Sequence, residues 1–428
     1  MKKFLIPLLF FICISTYNFS QQIDAIINAK EVDRIERVLS SDDMQGRKAG
    51  TPGIEKAAQF IAREFKASGL QTMDNSGSYL QSFKLMRPKF ISVKGALNDE
   101  ELDPKNIIVI TVRAELKIDE KSGYEISFIN NGEPLINKAL EYFRGNKNYV
   151  VFVDTSFRIN FSRLTSLKRQ LFSSQRDVIF ILTEKHPGKF RIRAEHEFSE
   201  TPMANVVGML PGKTRKNEYV IFSGHYDHLG ISKAVNGDSI YNGANDDAAG
   251  TTAVIMLAKY FKAIANNERT ILFAAFTAEE SGGFGSQYFS SQLEAGKAAA
   301  MFNIEMIGTE SKWGKNSAYI TGYEKTNMGS ILEANLKGTA FTFYPDPYPS
   351  ENLFFRSDNA TLARLGVAAH TISTSKMDNE PNYHKPSDEI QTLDMENMAM
   401  IIKAIALSSK SIINGTDTPS RVKVEELR

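Results

Sequence analysis

Tyr219-Val220-Ile221-Phe222-Ser223 runs straight into Gly224-His225-Tyr226-Asp227-His228, and the reading of this stretch decides the fold. The uncharged aromatic and β-branched run reads as a short buried strand. A turn bearing two histidines and an aspartate follows it. Downstream, residues 249–264 read as a helix with Val254, Leu257, Ala258 and Phe261 inward at three- and four-residue spacing. Residues 270–276, 300–305 and 367–373 read as further strands, and residues 395–413 as a closing amphipathic helix. Such alternation predicts an α/β fold: a mixed, mostly parallel central sheet with helices on both faces. Ligands of such sheets bind beyond the carboxyl ends of the strands.

Upstream, two helical stretches between residues 31 and 70 flank the loop Ser40-Ser41-Asp42-Asp43-Met44-Gln45-Gly46-Arg47-Lys48-Ala49-Gly50-Thr51-Pro52-Gly53. The second places Ile54, Ala57, Ala58, Ile61 and Phe65 on one face, and Gly69 stops it. Residues 87–200 differ in character. Residues 106–112, 149–154 and 178–183 read as strands separated by charged stretches, so this region is expected to be an inserted α/β domain or lid. It holds His186 and His196, neither with a metal-ligand neighbour at useful spacing. The expected division is a leader at 1–20, the first part of the main domain at 21–86, the insert at 87–200, the rest of the main domain at 201–414, and a polar tail at 415–428.

Composition narrows the function. The chain has 428 residues, 42% hydrophobic and 24% charged, as a soluble globular protein has. Basic and acidic residues number 51 and 50. No basic stripe interleaved with aromatics is present, which argues against a nucleic-acid partner. Lys2-Lys3, an apolar run from Phe4 to Ile14 and a polar stretch to Gln22 form the three-part pattern of a secretory signal peptide. The run is shorter than the roughly 20 residues a spanning helix needs. Export to the periplasm or exterior, with no stable membrane insertion of the mature chain, is the expectation. The only cysteine, Cys13, lies in that leader, so disulfides and cysteine zinc ligands are excluded from the mature protein. The sequence assigns no oligomeric state.

Five clusters carry chemistry: Gly224 to His228; Gly243-Ala244-Asn245-Asp246-Asp247-Ala248-Ala249-Gly250; Ala278-Glu279-Glu280-Ser281-Gly282-Gly283; Asn303-Ile304-Glu305-Met306-Ile307-Gly308; and Asn382-Tyr383-His384-Lys385-Pro386-Ser387-Asp388. Zinc without cysteine takes imidazole nitrogen and carboxylate oxygen. Two zincs roughly 3.5–4 Å apart can share a bridging carboxylate and a water. Two histidines, two terminal carboxylates and one bridge suffice, plus a free carboxylate as base. The five clusters can supply that set. Singly, a histidine is more often a satisfied polar residue, an Asp-Asp pair a loop or cap, and a Glu-Glu pair a solvated surface. Glu305 is different, because its apolar neighbours imply burial, and a buried carboxylate without a cation is costly. In this order, mostly at strand ends, the clusters together exceed coincidence.

These motifs resemble the family of cocatalytic two-zinc exopeptidases, which includes bacterial leucyl-type aminopeptidases, glutamate carboxypeptidases and animal glutaminyl cyclases. The resemblance covers roughly residues 40–86 and 205–413, and the stretch from Met44 to Gly53 is typical of the family's amino-terminal part. It implies two zinc ions per chain. His225 and Glu305 would complete one zinc, Glu280 and His384 the other, and Asp246 would bridge them. Asp227 would orient the His225 ring from behind. The bond from Asp246 to Asp247, another supporting residue, is often cis in relatives. Glu279 would be the general base, and Tyr383 could donate to the oxyanion. Arg356-Ser357-Asp358 resembles a segment lining the cleft, with Asp358 in a supporting place. Many relatives carry aspartate where this chain has Glu305. His228 and His370 are left without a role, His370 as structural.

The implied activity is zinc-dependent exopeptidase chemistry on a peptide substrate, most readily from the amino end. A glutaminyl cyclase would work with one zinc, and the full five-ligand set disfavours it. A carboxypeptidase would need cations for the substrate's terminal carboxylate; only Arg356 and Lys385 lie near the motifs. Every ligand position is competent, which argues against a decayed binding protein.

Overall fold

The computed structural model describes residues 22–73, 77–184 and 188–427. The leader residues 1–20, with Cys13, and His186 lie outside the described residues. Cα packing divides the chain into two compact units: Met1–Ser82 with Met203–Arg428, and Phe83–Pro202.

The first unit is built on a mixed sheet. Its strands stand in the order Thr342–Pro345, Ser317–Ile320, Ala369–Ser373, Ala298–Ile304, Arg215–His225, Arg269–Phe276, and then the final residues of Phe190–Leu210. Ala369–Ser373, Ala298–Ile304, Arg215–His225 and Arg269–Phe276 are mutually parallel. The Phe190–Leu210 strand joins antiparallel, as does Ser317–Ile320 against Ala369–Ser373. Successive strand side chains face opposite sides. Val220, Phe222, Ile271, Phe273 and Phe302 therefore pack with Ile35, Ile61, Val254, Leu257 and Ile405 from helices Ala29–Leu39, Pro52–Ala67, Ala249–Ile264 and Met395–Ser408. Ile221, Leu272, Ala274 and Met301 face the other way, onto Phe289 of Phe284–Gln292 and Leu362 of Asn359–Ala363. Both faces are covered, as the alternation of elements implies.

Two local outcomes differ from the sequence reading. The buried strand does not stop at Ser223; pairing of Gly224 with Ala275 and His225 with Phe276 carries it to His225. The closing helix ends at Ser408, and Lys410–Ile413 is a separate short helix. Ser408 and Ser409 hydroxyls bond back to the Ile405 and Ala406 carbonyls, and Asn335 takes the Ser408 carbonyl, so the ladder is interrupted there. The helix Ala249–Ile264 is buried through Phe261 except at Lys259, which pairs with Glu31 and Glu64 at 2.6 and 2.8 Å.

The second unit has a separate sheet in the order Ile107–Ile110, Val178–Leu182, Tyr149–Val153, Glu125–Ile129. One face packs Val150, Phe152, Ile179 and Ile181 against Phe190 and Ile192; the other packs Val151, Val153 and Phe180 with Leu135 and Leu164. Among the described residues no helix is long and apolar enough to cross a membrane.

Candidate metal centre

The parallel strands deliver chemistry at their carboxyl ends. His225 is the last residue of its strand. Glu279 and Glu280 follow Arg269–Phe276 after Thr277 and Ala278, and Glu305 comes directly after Ala298–Ile304. Turns would let these side chains wander, so the turns are pinned. The buried Asp247 carboxylate accepts the N–H groups of His225, Gly250 and Met306 at 3.1, 2.9 and 3.1 Å. Asp388 accepts those of Asn245 and Asp246 at 2.8 and 3.0 Å. Asp227 accepts those of Glu279 and Glu280 at 3.0 and 3.3 Å. The fully buried Arg47 guanidinium donates to the carbonyls of Leu39, Tyr226, Asn242 and Gly243. The peptide bond between Asp246 and Asp247 is cis. Gly250 is required sterically: a Cβ there would lie 2.1 Å from the Ile304 carbonyl oxygen.

Asp246 stands at the centre with its two oxygens turned to different partners. Oδ1 lies 3.2 Å from His225 Nε2, and Oδ2 lies 3.3 Å from His384 Nε2. His384 Nε2 is also 3.3 Å from Glu280 Oε2. Among the described residues, two groups have donor atoms close enough to share a cation: His225, Asp246 and Glu305, and His228, Asp246 and Glu280. Metal–ligand bonds of about 2.0–2.1 Å in a tetrahedron hold ligand atoms about 3.3 Å apart, which is the spacing observed. The buried His225 Nε2, Glu280 Oε1 and Glu305 Oε2 have no hydrogen-bond partner. Orphaned buried donors and acceptors at tetrahedral spacing fit zinc, and the imidazole and carboxylate set suits it.

The electrostatics point the same way. Burial, reinforced by neighbouring carboxylates, pushes Glu305 up to about 7 and Glu279 and Asp247 well above the usual carboxylate range. Burial likewise lifts Asp227 to about 7 and Asp358 to about 6. Burial opposes ionisation of Asp246 too, but His225 and His384 beside it hold it well below its ordinary value. Asp246 and Glu280 in turn raise His384 to about 10. So many carboxyl groups crowded out of water need concentrated positive charge, which bound cations would supply.

His225, Asp246, Glu280, Glu305 and His384, far apart in the chain, are thus brought together around one carboxylate, and Glu279 lies beside them in neither donor group. Tyr383 stacks on His384 with ring centroids 3.9 Å apart, and lines a small cavity with Glu305, Tyr319, Arg356 and Met377. Asp358 is buried, near the Ser286 hydroxyl. The atom that meets His225 Nδ1 is the carbonyl oxygen of Asp227, at 3.1 Å. Its carboxylate stands 3.7 Å away because the two glutamate N–H groups claim it. His370 is structural, bonded to Thr326 and the Thr321 carbonyl. The sequence reading missed three contributors: His228, inside the first motif; Asp388, inside the last; and Arg47, inside the amino-terminal loop. All three lay within quoted motifs, and position in a motif was the only signal.

Residues 205–408 match the model of peptidase family M28. Aminopeptidase YwaD of Bacillus subtilis is 22% identical over 249 residues, covering 56% of this chain and 51% of that protein. The chain spans about half the length of the curated relatives it matches. Two solved structures share the fold. The aminopeptidase from Aneurinibacillus sp. strain AM-1 superposes with a TM-score of 0.53 at 17% identity, covering 94% of this chain and 97% of that one. BSAP, a zinc aminopeptidase from Bacillus subtilis, gives 0.55 at 16%, covering 92% and 98%. The candidate ligands and Glu279 all lie within residues 205–408, the stretch that matches the model of peptidase family M28.

Proposed function

We propose that this protein is a two-zinc aminopeptidase. The observation that carries the reading is Asp246, whose oxygens face separate donor groups as a bridging carboxylate requires. The names of its relatives, aminopeptidases and zinc metalloproteases, support it. His225, Asp246 and Glu305 would hold one zinc; Asp246, Glu280 and His384 the other. Zinc there supplies Lewis acidity, polarising a carbonyl and lowering the pKa of a water.

The protein's own groups do the rest. Glu279 belongs to neither donor group and is partly buried among carboxylates, which raises its proton affinity. It accepts the proton of the attacking water and returns it to the leaving amine as the C–N bond breaks. Tyr383, over His384 and beside Glu305, donates its hydroxyl to the developing oxyanion. The amino end of a peptide suits this site. Its ammonium needs carboxylates, which abound, whereas a terminal carboxylate needs free cations. Arg356 is paired with Glu351 at 3.2 Å, and the Lys385 ammonium bonds the Pro381 carbonyl.

The test compares one peptide with a free and an acetylated amino end. Zinc-loaded protein should release residues only from the free peptide, and elemental analysis should find two zinc ions per chain. Equal cleavage of both peptides would sink the aminopeptidase assignment; no more than one bound zinc would sink the bridged pair.

A further inference from the structure

We propose that His228 is a fourth protein ligand of the second zinc, through Nδ1, beside Asp246, Glu280 and His384. The inference rests on the two-zinc reading above and adds a residue to it. His228 is fully buried, and neither ring nitrogen has a hydrogen-bond partner. An imidazole taken out of water with no well-aligned hydrogen bond at either nitrogen is costly, so its place needs an explanation. Its Nδ1 lies 2.9 Å from Glu280 Oε1 and 3.9 Å from Asp246 Oδ2, on either side of the ligand spacing about a tetrahedral zinc. Asp246 Oδ2 is the oxygen that also faces His384. The His228 and His384 rings approach edge to face, centroids 5.8 Å apart, as two imidazoles converging on one point do.

The surroundings hold the ring in this position. Its backbone N–H donates to the Arg47 carbonyl. Gly243, at φ +56°, leaves room for it; a Cβ there would lie 2.5 Å from the ring. The two centres are therefore unequal. The first has His225, Asp246 and Glu305. The second has four protein donors and should hold zinc the more tightly.

A different role for the same geometry is a hydrogen bond from Nδ1 that merely positions Glu280. His228→Asn separates the two, because its side-chain amide reaches about where Nδ1 lies and can still donate to Glu280. X-ray absorption of the wild-type dizinc protein should count three imidazoles over two metals, falling to two in His228→Asn. Chelator competition should show the second zinc weakened more than about 100-fold, beyond the roughly 10–100-fold that loss of an outer hydrogen-bond partner costs. Two imidazoles in the wild type, or a smaller loss in His228→Asn, overturns the inference and leaves the two-zinc aminopeptidase standing. A wild type that binds at most one zinc overturns both.

Discussion

Asp246 serves two partners with one carboxylate, and that dictates what its neighbours must do. Its oxygens can face His225 and His384 together only if its backbone is fixed, and Asp388 fixes it through two N–H groups. Asp388→Ala should leave the fold intact by circular dichroism while zinc affinity drops about 10–100-fold; unchanged affinity in a chelator competition would show that the turn holds itself. Glu279 makes the opposite prediction. Glu279→Gln should keep its zinc, while turnover falls at least about 10²-fold, the usual worth of a positioned base. Near-wild-type turnover with full metal content would move the base elsewhere. The candidate ligands could be read from sequence because each sits in a short motif whose residue types announce their chemistry. Asp388 and Arg47 could not, because they act on backbone groups, and an aspartate or arginine that grips a distant turn looks like any other.

Elements were legible where one face or both are apolar. The strands around Phe222 and Phe302, and the helix Ala249–Ile264, follow from hydrophobic runs and periodicity. The long strands Leu80–Leu97 and Phe190–Leu210 were missed. Much of their length faces water and carries cross-strand ion pairs such as Lys84–Glu200 and Lys89–Glu197, so charge hides the period-two pattern. Phe222 holds the central sheet to its helices, stacked with Phe302, Phe261 and Phe273 at 4.9, 5.4 and 5.9 Å. Phe222→Ala should cost about 3–5 kcal/mol in urea unfolding, through lost burial and the cavity left; a loss under about 1 kcal/mol would mean that the sheet can collapse around the gap. His370, in the neighbouring strand, gives a pH dependence. Burial, only partly offset by the Thr321 carbonyl, lowers it from 6.5 to about 4. As pH falls, the unfolded chain therefore takes the proton first. The associated stability is full above about pH 6.5 and is lost between there and about 4, on the order of 3 kcal/mol. Urea unfolding at several pH values should show a shallower loss in His370→Gln than in the wild type, and parallel curves would refute the assignment.

At the scale of the whole molecule, residues 87–200 announced themselves by a change in composition, and the compact unit runs Phe83–Pro202. The separation matters for how metal couples to stability. Every candidate ligand lies in the Met1–Ser82 and Met203–Arg428 unit, whose cores are its own. The cores of Phe83–Pro202 draw only on that unit's residues. A ligand that binds only the folded state stabilises it by about 2.7 kcal/mol at a hundred times its Kd. That linkage acts on the unit whose folding builds the site. Removing zinc should therefore lower one calorimetric transition and leave the other in place. Limited proteolysis of the chelated protein should identify which. The first new cuts should fall in the site's own turns, around Glu279–Gly283 and Met377–Asp388, where the carboxylates repel once their cations are gone. Cuts that appear first within Phe83–Pro202, or two transitions lowered equally by chelation, would mean that the two units unfold as one and that metal energy reaches the insert.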